Sequence, residues 1–454
     1  MAAPVRTGDE VELQIDSLAY GGNGVGRLNG FVVFVRGALP GDRVRAKVTK
    51  VKRGFAEAAA QSVLEPSLHR IDAPCPHFGV CGGCRFQSLE YDVQVAAKEQ
   101  QVRDALSRIG RIEAPPLEPI LPAASLYHYR NKLEYSFTET EEGVGLGFHR
   151  AGRWDEVIGI DVCLLTTELG NAIREAVRDW AREERLPAYD QATGEGYLRH
   201  LVVREGRNTG QVLVVLVTAP GERFEKGYFA DVLRRFPEVR SIHWAINDTP
   251  AERTSLPTEL LWGEEAIEES ILGLRFRVRP NAFLQTNTEM AERLYELVRA
   301  FAALTGDQRM FDLYCGTGTI GLSLAGQAGE VWGLEISEES VACAIENAEL
   351  NGLENARFFA GNVGQALEEL VEEAGAPDLV VVDPPRAGLA GKALRRLGAI
   401  GAPRVVYVSC NPTTLASDVK VLREDFGYEL RQCRPVDMFP HTPHVESVSL
   451  LEKP

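Results

Sequence analysis

From residue 281 to the C-terminus the chain alternates short β-prone runs with longer helical patterns. That alternation restricts the fold more than any other feature of the sequence. The pattern predicts strands over 310–313, 330–335, 357–359, 378–383 and 404–409, a leading helix over 287–303, helices in between, and a closing hairpin-like pair around Tyr428 and Val448. Strands that alternate with helices pair in parallel, with the helices crossing over the two faces. A doubly wound, Rossmann-like α/β sheet is therefore expected over 281–454. Ligands bind such sheets outside the carboxyl ends of the strands, and three of these predicted ends carry chemistry.

The first end opens a glycine loop, Phe311-Asp-Leu-Tyr-Cys-Gly-Thr-Gly-Thr-Ile-Gly321. Glycines there let backbone approach a ligand closely, and the helix start offers free amide donors. The Gly-x-Gly-x-x-Gly spacing alone fits NAD and FAD sites as well. Asp312 precedes the loop, however, and Glu335 ends the next strand about 20 residues on, where a carboxylate can accept ribose hydroxyls. This set is similar to the class I S-adenosylmethionine methyltransferases, and a nicotinamide site stays open on these residues. The second end is Asp383-Pro-Pro-Arg386, whose prolines force extended backbone and so display Asp383. Amino-group N-methyltransferases carry a similar Asp-Pro-Pro, usually followed by an aromatic residue rather than arginine. The third is Cys410-Asn-Pro412, a cysteine where a strand stops. Most free cysteines are small buried core residues. Its place beside a cofactor loop argues instead for a nucleophile.

Upstream, residues 1–64 read as a small β-barrel, with strands separated by Gly-rich turns. The chain as a whole carries a formal charge of −16, but 27–53 holds eight Lys and Arg against Asp42 alone. In the segment from Arg43 the basic residues alternate with apolar ones, which puts the charge on one face. Because salt screens beyond about 10 Å, such a local patch can hold phosphates despite the net charge; a charged, blunted sheet edge is the alternative. Residues 65–280 are expected to form a central α+β region. It begins with Cys75-Pro-His-Phe-Gly-Val-Cys81-Gly-Gly-Cys84, followed by an amphipathic helix over about 89–109 and strands over 131–138, 198–205 and 211–218. Three thiols in a tight Pro/Gly loop suit zinc or an iron–sulfur cluster, with Cys163 or His77 as a fourth ligand. Cys315, Cys343 and Cys433 read as packing or remain unassigned. The N-terminus has no apolar leader, and the longest apolar runs, such as 212–217, are far shorter than the roughly 20 residues of a membrane span. A cytoplasmic protein with neither a membrane partner nor an obligate protein partner is expected.

Several motifs in order carry a closer resemblance. Phe283-Leu-Gln-Thr-Asn287, the loop from Leu313 to Gly321, Asp383-Pro-Pro-Arg-Ala-Gly388, Ser409-Cys-Asn-Pro412 and His444-Val-Glu446 resemble the RNA 5-methyluridine (uracil-C5) methyltransferases. Residues 16–26, with Leu39-Pro-Gly-Asp42, resemble the TRAM domain, an RNA-binding module. The resemblance implies that Cys410 is the nucleophile and Glu446 the base. It implies that Gln285, Tyr314, Thr319, Glu335, Asn362 and Asp383 bind S-adenosylmethionine. The family's iron–sulfur subgroup carries the same cysteine spacing with a distant fourth cysteine. This implies a 4Fe–4S cluster on Cys75, Cys81, Cys84 and Cys163. The radical-S-adenosylmethionine spacing is different and is not matched. The implied partner is RNA: 23S rRNA above all, with a tRNA T-loop uridine as the alternative.

Overall fold

The computed structural model describes residues 3–454. Five strands, β1 (Glu10–Leu18), β2 (Gly24–Leu28), β3 (Phe31–Arg36), β4 (Arg43–Val51) and β5 (Phe55–Glu65), close into a barrel in the order β1-β2-β3-β5-β4. Along β4, Val44, Ala46 and Val48 fill the interior while Arg43, Arg45 and Lys47 face solvent, as a period of two requires. Part of this basic face is neutralised, since Arg43 pairs with Glu12 and Glu65, and Arg45 with Glu12.

Next come α1 (Tyr91–Arg108) and a mixed sheet of β6 (Lys132–Thr140), β7 (Gly143–His149), β8 (Val157–Gly159), β9 (Leu198–Glu205), β10 (Val212–Thr218), β11 (Val239–Ile246) and β12 (Thr258–Gly263), with α2 (Glu168–Glu183) and α3 (Lys226–Arg234). The spatial order is β12-β11-β10-β9-β6-β7-β8. Every residue of β9 and β10 is buried. One face packs on α2 and α3 through Leu201, Val203, Val214 and Leu216. The other, through Val202, Leu213, Val215 and Val217, shares a core with the C-terminal region. Strands covered on both sides read as continuous apolar runs for this reason.

A short hairpin, β13 (Ile267–Ile271) and β14 (Leu274–Val278), precedes α4 (Thr288–Ala302). The C-terminal sheet follows: β15 (Arg309–Leu313), α5 (Thr319–Ala325), β16 (Glu330–Glu335), α6 (Glu338–Leu350), β17 (Ala356–Ala360), α7 (Val363–Ala374), β18 (Leu379–Val382), α8 (Gly391–Ile400), β19 (Arg404–Ser409), α9 (Pro412–Phe426), β20 (Glu429–Val436) and β21 (Glu446–Glu452). Its order is β17-β16-β15-β18-β19-β21-β20. The first five are parallel. β21 slots between β19 and β20, antiparallel to both.

Helix α1 follows the cysteine loop in sequence but packs on the C-terminal sheet, where Val102, Ala105 and Leu106 join the core of β18, β19 and α9. Its polar face grips the loop before β21. The fully buried Lys98 donates to Asp437 (2.5 Å) and to the Phe439 carbonyl, and Tyr91 donates to Asp437 (2.9 Å). Gln94 accepts from the His441 amide. Among the described residues no helix is long and apolar enough to cross a membrane.

Candidate active site

The parallel register lines the carboxyl ends up in one row. Leu313 pairs with Leu334 on one side and Val382 on the other. The next residues out are therefore Glu335, Tyr314 and Asp383, side by side where the strand order reverses. β19 adds Cys410 to the same edge. Antiparallel β21 arrives from the opposite direction, so its first residue, Glu446, also lies at this edge. Its ladder with β19 ends on Ser409 opposite Ser447. Cys410 and Glu446 are the next residues beyond that end on the two neighbouring strands, and Glu446 is one of the charged groups that act on the Cys410 thiol.

The cysteine turn is braced locally. Asn411 caps α9 by accepting from the Thr413 amide (3.0 Å), and Pro412 starts the helix. The Asn411 side-chain amide also donates to the Arg386 carbonyl (3.0 Å), tying the Asp-Pro-Pro loop to the cysteine. That loop approaches α9 so closely that a Cβ on Gly388 (φ +76°) would meet Asp418 and Thr414 at 2.9 Å. Asp418 in turn accepts from Leu389 and from the Tyr407 hydroxyl.

Electrostatics at this edge oppose ionisation. Burial first, then the carboxylates of Glu446 and Asp383, push the Cys410 thiol up to about 11, against a small opposing pull from Arg386. Burial and Asp383 push Glu446 up to about 8. Burial pushes Asp383 up to about 7. Three acidic groups that resist their charges in one recess are characteristic of a functional site. Here they disfavour the thiolate of Cys410 in the free protein.

The glycine loop lies along the same row. Tyr314 has φ +62°, a conformation costly for a non-glycine residue, and Gly318 at φ +81° leads into α5. Fully buried Asp312 accepts from the Gly321 amide at 2.8 Å, and a Cβ on Gly321 would lie 2.7 Å from the same carboxylate. The other oxygen of Asp312 has no partner among the described residues. Glu335 is oriented by amides of Gly316 (3.2 Å) and Ser337 (3.0 Å) and keeps lone pairs for hydroxyl groups. Beside it Ile336, 66% exposed, leaves an apolar side chain uncovered next to this carboxylate, a feature that sequence reasoning missed. Exposed Asn362 stands at the N-cap of α7 without capping it, leaving its amide free. Gln285 is buried just before α4, and Thr319 opens α5 with its hydroxyl 3.2 Å from that of Tyr295. These residues fit an adenosine-bearing cofactor. Thr319 is the least committed of them, because its hydroxyl is already engaged. Cys315, Cys343 and Cys433 are buried in the core.

Cys75, Cys81, Cys84 and Cys163 line one cavity of ≈ 170 Å³, together with Leu133, Phe148 and Ile160. Among the described residues, no group of three His, Cys, Asp or Glu is close enough to hold a single metal ion. His77 also borders the cavity, but its Nε2 accepts from the Asp161 amide (3.0 Å). Burial pushes Cys84 up to about 12.

Comparison with known proteins gives this edge its context. The family pattern described as tRNA (Uracil-5-)-methyltransferase matches residues 260–454, and that of the TRAM domain matches residues 4–60. An uncharacterized RNA methyltransferase of Halalkalibacterium halodurans is 40% identical over 99% of this chain and 98% of its own length. The chain belongs to this RNA uracil-5-methyltransferase family. A Porphyromonas gingivalis relative, also described as an uncharacterized RNA methyltransferase, is 40% identical over 97% of the chain and 99% of its own length. Among solved structures, the Pyrococcus abyssi tRNA (uracil-54, C5)-methyltransferase in complex with S-adenosyl-L-homocysteine superposes with a TM-score of 0.79. It is 29% identical and covers 97% of this chain and 100% of its own. Family membership removes the nicotinamide alternative for the glycine loop and makes the protein an RNA-methylating enzyme with a TRAM barrel.

Proposed function

We propose that the enzyme methylates C5 of a uridine in 23S rRNA, using S-adenosylmethionine, with Cys410 as nucleophile and Glu446 as base. The observation that carries this reading is that Cys410 and Glu446 lie just beyond the Ser409–Ser447 end of the β19–β21 ladder, with Asp383 close enough to act on both. C5 of uracil is too weak a nucleophile to take a methyl group unaided. Addition of the Cys410 thiolate to C6 forms an S–C6 bond and leaves C5 with enolate character. S-adenosylmethionine, when bound, supplies an electrophilic methyl group at C5 and leaves as S-adenosylhomocysteine. Glu446 then takes the C5 proton; the C5=C6 bond re-forms and the thiolate departs. The two steps require a nucleophile and a base close together on one side of a flipped base. The Asn411–Arg386 bond holds the cysteine turn and the Asp383 loop in one arrangement.

The four cysteines line one largely apolar chamber, and with the spacing shared with the family's iron–sulfur subgroup this supports a 4Fe–4S cluster rather than zinc. With the barrel, that cluster favours ribosomal RNA, since the resemblance ties both features to such enzymes. The likeness to the P. abyssi enzyme favours a second reading, the T-loop uridine of tRNA.

Incubation of the purified enzyme with methyl-labelled S-adenosylmethionine and separate 23S rRNA and tRNA transcripts tests the assignment. Label in 5-methyluridine of the 23S transcript is expected; label confined to tRNA selects the second reading, and label in neither removes both. For the metal, anaerobically purified protein is expected to be brown, with broad visible absorption, and Cys84→Ser to lose colour and iron together. A colourless preparation containing zinc excludes the cluster.

A further inference from the structure

The barrel reaches the catalytic edge. The turn between β1 and β2 is held by its backbone from two sides. Gln101 of α1 donates to the carbonyls of Leu18 (3.3 Å) and Ala19 (3.4 Å). Arg85, next to Cys84, donates to the Gly21 carbonyl (2.6 Å). Gly22, at φ +85°, lies so near Phe86, Pro443 and Arg85 that a Cβ would meet them at 3.1, 3.2 and 3.3 Å. Only a residue without a side chain lets the turn close on that surface.

Gripped in this way, the turn projects Tyr20 toward the C-terminal sheet. Its hydroxyl donates to the Cys410 carbonyl at 3.3 Å, across 390 residues of sequence. The ionisable groups around the phenol are Cys410, Arg386 and Glu446. Tyr20 is half-buried and belongs to none of the apolar clusters found among the described residues, so packing does not account for it. The β19–β21 ladder stops at Ser409. The Cys410 carbonyl lies past that ladder, and Tyr20 supplies its donor.

We propose that Tyr20 is a positioning residue that the barrel lends to the catalytic centre. Its hydroxyl fixes the Cys410–Asn411 peptide, and with it the direction in which the thiol meets the target base. The inference rests on the reading of Cys410 as nucleophile. It makes the barrel a wall of the active site as well as a holder of RNA. Small misplacements of a reacting atom are costly in rate, whereas RNA affinity is spread over many phosphate contacts. The two roles therefore separate kinetically.

In the full-length protein, Tyr20→Phe is expected to lower kcat for RNA methylation by about tenfold, with KM for RNA and for S-adenosylmethionine unchanged and with an unaltered melting curve. The rate of covalent adduct formation with RNA containing 5-fluorouridine, which traps the cysteine, falls to the same extent. Lys47→Glu on the outer barrel face is expected to do the reverse, raising KM for RNA at constant kcat. A Tyr20→Phe enzyme with wild-type kcat, or one whose loss lies wholly in KM for RNA, overturns the proposal. Cys410→Ala on the same RNA separates the layers. If it still methylates, the nucleophile assignment fails. If it is inert while Tyr20→Phe is as fast as wild type, only the role of Tyr20 falls.

Discussion

Cys410→Ala is expected to abolish methyl transfer to RNA, a loss of ~10³-fold or more in kcat, as removal of a covalent nucleophile usually brings. Titration with S-adenosylhomocysteine and filter binding of RNA are expected to be unchanged. The cysteine is partly buried at a strand end and belongs to no apolar core cluster among the described residues, so deleting its sulfur opens no core cavity. The same site makes a second expectation about the wild type. With the thiol held up to about 11 by burial and by two flanking carboxyl groups, alkylation of free enzyme by iodoacetamide is slow at neutral pH and rises steadily on the alkaline side. Activation then depends on what the RNA brings, and Arg386 is the cation already placed to help. Persistent methylation by Cys410→Ala removes the covalent mechanism. Fast alkylation that plateaus near neutral pH removes the account of how the free enzyme keeps its thiol inert.

The parallel part of this site was legible in the chain because each of its residues terminates a strand whose apolar run is easy to see. Asp383 and Cys410 follow Leu379–Val382 and Arg404–Ser409 directly. Glu446 was legible only through resemblance. Its neighbourhood depends on β21 inserting between β19 and β20, and a hairpin pattern specifies the pairing of its own two strands but not which of them turns toward the rest of the sheet. Helix α1 posed a similar difficulty. Its apolar stripe announces burial without saying against what, and it joins the C-terminal sheet rather than the central region that its sequence position suggested. Across the expected boundary at 280, residues of β9 and β10 share one apolar core with residues of α4. Tyr20 carried no signal at all. A tyrosine in a glycine-rich turn reads as surface, and its partner is a backbone carbonyl, which leaves no mark on the sequence. The cysteine loop lies between these cases. Spacing groups Cys75, Cys81 and Cys84, the family resemblance adds Cys163, and the fold places all four on one chamber while engaging His77 elsewhere.

Glu446→Gln is expected to trap the reaction halfway. Glutamine keeps the shape of the side chain at a buried position but cannot accept the C5 proton. Addition of Cys410 and methylation at C5 proceed, whereas elimination stalls. A covalent protein–RNA species then accumulates as a slow-migrating band on a denaturing gel, and turnover falls by ~10²–10⁴-fold, the range typical of a lost general base. The pH dependence identifies the group. Burial and the neighbouring Asp383 raise Glu446 to about 8. At neutral pH most of it therefore carries a proton and cannot act, and as pH rises through about 8 it becomes the carboxylate. Breakdown of pre-formed adduct by the wild type is expected to accelerate with pH and level off above that value. In Glu446→Gln the same limb is flat, since an amide does not titrate. Asp383→Asn provides the contrast: Asp383 lies in the cofactor row, so its loss weakens S-adenosylhomocysteine binding without building up methylated adduct. Were Asp383→Asn to accumulate the band and Glu446→Gln to turn over freely, the two carboxylates would have to exchange roles. The β19–β21 ladder, which ends at Ser409 opposite Ser447 and leaves Cys410 and Glu446 as the next residues on adjacent strands, argues for Glu446 as the base.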